Sequence, residues 1–301
     1  MCGIYGYYGF SNVDNKKIIS LLKKRGPDDH KKFCRNKITI GATRLAIRDK
    51  INGSQPFFHK ELKIYASLNG EIYNYVYLKN LIKKKGYKFK TNCDTELIGP
   101  GYYYFKNRFF SMINGMFAIS IYDLNKKCFV LVRDRFGIKP LYFYKDGKKF
   151  IYSSSAKSIY EQPYFKKKIN GHSLISVLKK RYVESDNHIF QNLHQVKKGQ
   201  ILKFFLNGKQ REEKYFKYNI SNRKKINLYK ETEDFFMKNI STYNISDVDI
   251  GVLLSSGVDS NLLSSYLSKK KTKNYCVNFL KSKFSEKSNV LKHHDKKKIK
   301  F

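Results

Sequence analysis

The chain has 301 residues, 41% apolar and 28% charged, which is enough to enclose a core and excludes a disordered or collagen-like chain. Its 61 Lys and Arg against 24 Asp and Glu give a net charge of +37, the balance of a nucleic-acid or anionic-surface binder. Lysine supplies 51 of those cations and arginine only 10, scattered over the whole length beside five alanines, so the charge reads as the composition of an AT-rich genome and nucleic-acid binding is set aside.

The chain opens Met1-Cys2-Gly3-Ile4-Tyr5-Gly6, with no basic head before an apolar stretch, so no secretory signal is expected. No run of about 18 apolar residues follows to span a membrane. Residues 13–24 carry helical spacing. Strand-like runs bounded by Gly, Asn and Asp come next, at 38–45 and 62–68. Residues 71–85 read as a second helix, with Tyr75, Leu78, Leu81 and Ile82 as its apolar stripe. Gly99-Pro100-Gly101 is hostile to a helix interior. Further strands are read at 116–122, 128–133, 141–144, 150–153 and 201–205. Strand pairs with inserted helices give an α+β layered domain.

Residues 219–247 are polar and helical in tendency, with Phe235, Phe236 and Ile240 as one stripe. The grammar then changes. An apolar run at 248–254, a Gly-containing turn, a helical run at 261–267 and a short strand at 274–280 open a parallel α/β unit. Lys-rich residues 296–300 close the chain. The five cysteines are an odd number without a Cys-x-x-Cys pair, which points to a reducing compartment with neither a disulfide framework nor a zinc knot. The histidines show no metal spacing.

Cys2 carries the first chemical signal. A small second residue favours removal of the initiator Met, leaving a terminal Cys with thiol and α-amine on one residue. An α-amine titrates near pH 8, so it serves as general base to its own thiol. Five segments follow in order: Arg25-Gly26-Pro27-Asp28; Arg44-Leu45-Ala46-Ile47 with Gly53-Ser54-Gln55-Pro56; Asn69-Gly70-Glu71-Ile72-Tyr73-Asn74; Asp94-Thr95-Glu96; and the run from Arg133-Asp134-Arg135 through Lys139-Pro140-Leu141-Tyr142. Jointly, behind Cys2, they resemble the N-terminal glutaminase domain of glutamine-hydrolysing asparagine synthetases, a class II amidotransferase of the N-terminal-nucleophile αββα sandwich fold. The resemblance covers residues 1–205 and implies roles. Cys2 attacks the glutamine amide. Asn69 and the Gly70 N–H bind the oxyanion. Arg44 holds the α-carboxylate as a forked donor. Asp94 with Glu71 faces the α-ammonium, and backbone at Leu45, Ala46, Ile47 and Arg48 lines the pocket.

Leu254-Ser255-Ser256-Gly257-Val258-Asp259-Ser260 is the second signal. N–H groups of a tight turn at a helix start form an anion cradle, and serine hydroxyls add donors. The run resembles the pyrophosphate loop of ATP-pyrophosphatase-type synthetases, with Ser256 in place of a glycine. The resemblance implies ATP as cofactor, Mg²⁺ at Asp259, and Leu254 and Val277 along the nucleotide. The family continues for about as long again, so residues 248–301 read as the incomplete start of this parallel α/β domain, joined by a linker at 206–247. The reaction so implied takes glutamine, aspartate and ATP, and gives asparagine through an AMP-activated aspartate. A glutaminase alone or an inactive fragment is the alternative, and a basic nucleic-acid-binding or scaffold protein a remote one. The resemblance further implies a cytoplasmic enzyme and leaves open a homodimer or a second chain carrying the remaining synthetase half.

Overall fold

In residues 128–133 the sequence sets five apolar side chains in a row, and the chain there is a strand covered on both faces. The structure is a computed structural model, and it describes residues 2–183, 187–218, 228–243, 246–267, 272–279, 285–293 and 299–300. Met1 and most of the Lys-rich 296–300 tail fall outside these residues. The chain divides into two units, Met1–Ser221 and Asn222–Phe301.

In the first unit the order is β1 (Gly3–Tyr8), α1 (Asn15–Lys23), β2 (Asp29–Arg35), β3 (Ile38–Arg44), β4 (Phe57–His59), β5 (Ile64–Ile72), α2 (Tyr75–Lys83), a 3-10 turn (Asp94–Leu97), α3 (Ile98–Phe105), α4 (Arg108–Met112), β6 (Gly115–Asp123), β7 (Cys128–Arg133), β8 (Tyr142–Asp146), β9 (Lys149–Ser153), α5 (Lys157–Tyr160), α6 (Gly171–Lys180), β10 (Leu193–Gln195), β11 (Gln200–Phe205) and β12 (Gln210–Lys214). Two six-stranded sheets result, ordered β10-β8-β9-β1-β3-β2 and β12-β11-β7-β6-β5-β4. Every neighbouring pair is antiparallel.

The period of two along each strand builds the layers. On β7, Phe129 and Leu131 pack between the sheets with Ile4, Ile40, Phe150, Tyr152 and Phe204. Cys128, Val130 and Val132 point the other way, into a core with Leu78 and Ile82 of α2, Ile98 of α3 and Phe109 of α4. The outer face of the first sheet, through Tyr5, Tyr7 and Ile151, takes Ile18 and Leu22 of α1 and Ile159 of α5. The order is helix, sheet, sheet, helix: the expected αββα sandwich. Each of these fully buried side chains contributes about 1.5–3 kcal/mol of transfer free energy.

Four features differ from the sequence reading. β1 carries no clear strand signal in the sequence, because Gly3 and Gly6 weaken it. α2 starts at Tyr75 rather than residue 71, because β5 stays paired with β6 as far as Ile72 opposite Gly115. α3 runs through Gly99-Pro100-Gly101. Pro100 falls in its first turn, where a missing N–H costs nothing, and a side chain at 99 would meet the His59 ring at 2.2 Å. β12 lies beyond residue 205 yet belongs to the sandwich, because it pairs with β11 from Gln200–Lys214 to Phe204–Gln210.

The second unit holds α7 (Leu228–Tyr243), β13 (Gly251–Leu253), α8 (Val258–Leu267), β14 (Lys273–Tyr275), α9 (Lys287–His293) and β15 (Ile299–Lys300). Its strands form a parallel sheet ordered β13-β14-β15. Leu254, Cys276 and Val290 make a small core. Among the described residues no helix is long and apolar enough to cross a membrane.

Candidate active site

β1 lies inside the first sheet, between β9 and β3. Its pairing of Gly3 with Thr43 brings Cys2, one residue earlier, alongside Arg44 and Leu45 at the end of β3. Cys2 Sγ lies 3.8 Å from the Leu45 carbonyl oxygen. From the other side Gln55 Nε2 donates to Sγ at 3.4 Å, while Gln55 Oε1 accepts the Leu68 N–H at 2.7 Å. Arg25 Nε donates to the Cys2 carbonyl at 3.5 Å. Burial pushes the Cys2 thiol up and the Asp94 charge adds to this, against the field of Arg44.

Leu68 is followed on β5 by Asn69 and Gly70. Asn69 is fully buried, and neither its Nδ2 nor its Oδ1 has a hydrogen-bond partner. An orphaned buried amide costs about 1–3 kcal/mol, so such a group marks a place where a ligand supplies the missing partner. Gly70 adopts φ +155°, and a Cβ there would stand 2.0 Å from the Met116 carbonyl oxygen on β6. Only glycine fits, which leaves its backbone bare beside Asn69.

Glu71 and Asp94 complete the group. Asp94, at the start of the 3-10 turn, accepts the Ile72 N–H at 3.2 Å. Burial raises the Glu71 carboxyl to about 7, and the Asp94 charge pushes the same way. Asp94 is itself raised by burial, with the Arg48 guanidinium opposing. Two carboxylates sharing one buried place are a receptor for a cation.

Arg44 is placed differently from the expectation. Its Nη2 donates to the carbonyls of Arg48 at 2.8 Å and Asp49 at 2.6 Å, and its Nη1 to that of Lys50 at 3.0 Å. Both Nη2 protons are engaged, so no two-nitrogen fork is open to a carboxylate. The 48–50 turn has left its carbonyls without strand partners, and the guanidinium is the nearest source of several parallel donors. Of the Leu45–Arg48 backbone, the Leu45 carbonyl meets Cys2, while the Ala46 N–H is committed to Asp28 at 2.8 Å and the Ile47 N–H to the Leu45 carbonyl at 3.1 Å.

Three residues near the thiol escaped the sequence reading as site residues: Arg25, Gln55 and Lys139. Each stood inside a quoted motif, yet spacing alone does not say which side chain turns inward. Lys139 is buried, which lowers its ammonium pKa, and it feels Glu71 and Cys2. Arg133 holds that loop by donating to the carbonyls of Gly137 at 2.7 Å, Lys139 at 2.9 Å and Val196 at 2.9 Å.

In the second unit, the turn before α8 gathers its N–H groups on oxygen. Ser255 N–H donates to Ser260 Oγ at 3.2 Å and Gly257 N–H to Ser255 Oγ at 3.2 Å. Ser256 gives its N–H at 3.3 Å and its hydroxyl at 3.0 Å to the Glu286 carboxylate. A Cβ on Gly257 would meet only Ser255 Oγ, at 3.3 Å. The donor set therefore fits an oxyanion, with Glu286 supplying one. Val258 and Asp259 are exposed in the first turn of α8. Leu254 is not on the open side: it packs against Cys276 and Val290 because its N–H is drawn to the Tyr275 carbonyl at 2.8 Å, while Val277 is exposed.

The chain is 29% identical over 298 residues to asparagine synthetase [glutamine-hydrolyzing] 1 of Bacillus subtilis (strain 168), covering 95% of this chain and 47% of that protein. It is 32% identical over 290 residues to a putative asparagine synthetase [glutamine-hydrolyzing] 2 of Methanocaldococcus jannaschii, covering 87% and 56%. The chain thus spans about half the length of the curated relatives it matches. Among solved structures, the glutamine phosphoribosylpyrophosphate amidotransferase of B. subtilis aligns over 94% of this chain and 67% of its own, with a TM-score of 0.52 at 16% identity, a likeness of fold. The profile of the glutamine amidotransferase domain matches residues 1–216, which takes in the whole sandwich with Cys2, Asn69, Gly70 and Asp94, and the chain belongs to that family.

Proposed function

We propose that this chain hydrolyses glutamine to glutamate and ammonia with Cys2 as nucleophile, and that the ammonia amidates an AMP-activated aspartate to give asparagine. The observation that carries the first half is the buried, unpartnered Asn69 amide, one residue from the strand position that Gln55 ties to the Cys2 sulfur. Once Met1 is removed, the Cys2 amine takes the thiol proton as sulfur attacks the side-chain amide carbon. The C–S bond forms, and the carbonyl oxygen takes the negative charge against Asn69 Nδ2–H and the Gly70 N–H. The amine returns its proton to the leaving nitrogen and ammonia departs. Water then hydrolyses the thioester to glutamate and restores the thiol. Glu71 and Asp94 hold the substrate ammonium, while Arg44 acts chiefly by holding the 48–50 turn that walls the pocket.

The second half is supported by the likeness to asparagine synthetases and by the oxyanion fit of the second unit's turn. Ser255, Ser256, Gly257, Val258 and Ser260 would hold phosphate oxygens, and Asp259 would hold Mg²⁺. When bound, ATP supplies activation of the aspartate carboxylate. Five free thiols suit a reducing, cytoplasmic setting. The test is to feed the purified protein glutamine alone, then glutamine with aspartate, ATP and Mg²⁺. Glutamate is expected in both reactions, asparagine and pyrophosphate only in the second. Glutamate without asparagine in the full mixture leaves a glutaminase and overturns the second half for this chain.

A pH dependence follows from Glu71. Its carboxyl ionises near 7 in the free protein. Below that pH it is neutral and attracts the substrate ammonium weakly; above it the charge is present. The KM for glutamine is therefore expected to rise as pH falls through about 7, and binding near that pH to release a proton, read by calorimetry in buffers of different ionisation enthalpy. In Glu71→Gln the acid limb should flatten and KM should be high throughout. A wild-type KM flat across this range removes Glu71 from the ammonium site.

A further inference from the structure

We propose that Gln55 is a catalytic residue of the glutaminase site: a fixed hydrogen-bond donor that stabilises the Cys2 thiolate and sets its place against the oxyanion donors. This rests on the reading of Cys2 as nucleophile. The polarity of the Gln55 amide is dictated by its neighbours. Gln55 is buried, and one end meets the Leu68 N–H at 2.7 Å. A backbone N–H only donates, so the amide oxygen must face Leu68 and the NH₂ must face sulfur. A flipped amide would set two donors head to head in a buried place.

The other contact of the sulfur is the Leu45 carbonyl oxygen, an acceptor at 3.8 Å. It suits the neutral S–H and repels a thiolate. Gln55 at 3.4 Å is the side-chain donor that favours the anion, with the charges of the amino terminus and Arg44 acting in the same direction. Its proton stays on nitrogen throughout: the S–H bond breaks toward the Cys2 amine, and Gln55 strengthens its hydrogen bond as charge gathers on sulfur. The same side chain spans the two sheets. Cys2 enters β1 of the first, whereas Leu68 lies on β5 of the second, directly before Asn69. One amide thereby fixes the distance between nucleophile and oxyanion donors. A purely structural glutamine would bond protein backbone at both ends; this one has its donor end on the reacting atom.

The test uses the full chain and the rate of iodoacetamide alkylation at Cys2 against pH, read peptide by peptide by mass spectrometry. Exposed Cys34 serves as internal control. The charges facing the thiol are the amino terminus, Asp94 on the 3-10 turn, Arg44 at the end of β3, Arg25 after α1 and Lys139 after β7. All remain in both variants; Gln55→Glu adds a carboxylate that by itself opposes the thiolate, so a shift counts for the proposal only where Gln55→Met shows it too. Gln55→Glu keeps the acceptor for Leu68 and removes the donor; Gln55→Met removes both. In each, the alkylation midpoint of Cys2 is expected to move up by about one pH unit or more, a tenfold or greater loss of thiolate at neutral pH. kcat/KM for glutamine should fall about 10- to 100-fold and recover partly at higher pH, with Cys34 unchanged. An unmoved midpoint in Gln55→Glu, with kcat/KM within about threefold of wild type, overturns the proposal. If Gln55→Glu fails to fold, the midpoint of Gln55→Met decides on the same criterion. If both fail to fold, Gln55 is a structural strut and the proposal falls. Absence of glutamate release by wild type would instead defeat the glutaminase reading, and the alkylation midpoints would still report on Gln55.

Discussion

Cys2→Ala is expected to release no glutamate from glutamine above background while keeping its fold. The substitution deletes one sulfur whose contacts are a long hydrogen bond from Gln55 at 3.4 Å and a weaker one to Leu45 at 3.8 Å. Loss of such contacts costs about 1 kcal/mol or less, so the melting temperature should move by a few degrees at most. No other thiol replaces it: Cys93 is buried and burial pushes its thiol up to about 12, Cys128 and Cys276 are buried, and Cys34 stands on β2. A coupled glutamate assay and a melting curve on the same preparation give both readings. Mass spectrometry of the wild type should show a chain lacking Met1, since the amine that serves the thiol must belong to Cys2. Undiminished activity in Cys2→Ala would sink the covalent mechanism.

Asn69→Ala carries the second largest effect, a fall in kcat of about 100- to 1000-fold, or roughly 2.7–4 kcal/mol, with KM little changed. The amide meets a charge that exists only once sulfur has attacked, so its loss is felt in the transition state rather than in binding. Stability should behave unusually for a fully buried polar residue. Both polar atoms of Asn69 lack partners in the free protein, so removing them relieves a cost of about 1–3 kcal/mol that offsets the small cavity left behind. The variant is expected to melt within a few degrees of wild type. A raised KM with kcat intact would move Asn69 from oxyanion to substrate binding.

What the sequence disclosed depended on how local each signal was. β7 was legible because its side chains fill two cores at once, which forces a continuous apolar run. Cys2, Asn69-Gly70 and Asp94 stand out in the sequence through the family resemblance that their ordered segments carry. β1 was hidden, since its glycines answer to side chains brought from elsewhere in the chain: a Cβ at Gly6 would meet the Tyr152 ring, and one at Gly3 would meet Thr43 and Leu22. The helix through Pro100 was hidden because the decisive fact, which turn the proline occupies, depends on where the preceding 3-10 turn ends. Arg44 was assigned correctly to the neighbourhood of the thiol, but the direction of its guanidinium was set by three carbonyls of a turn whose shape no local pattern announces. Gln55 stood in plain view, and only the Leu68 N–H reveals which way its amide points.

The setting of β1 bears on how the protein stops working. The first strand of a chain ordinarily frays before anything else. Here it lies fourth of six, hydrogen-bonded to β9 on one edge and β3 on the other, with Ile4 and Tyr5 fully buried on opposite faces. A nucleophile leading into such a strand cannot peel away alone; releasing it means opening the middle of a sheet and two cores with it. Reactivity and the global transition are thereby fused into one cooperative event. On heating, the population should pass from fully competent molecules to unfolded ones, with no intermediate stage of folded chains that have merely lost their working end.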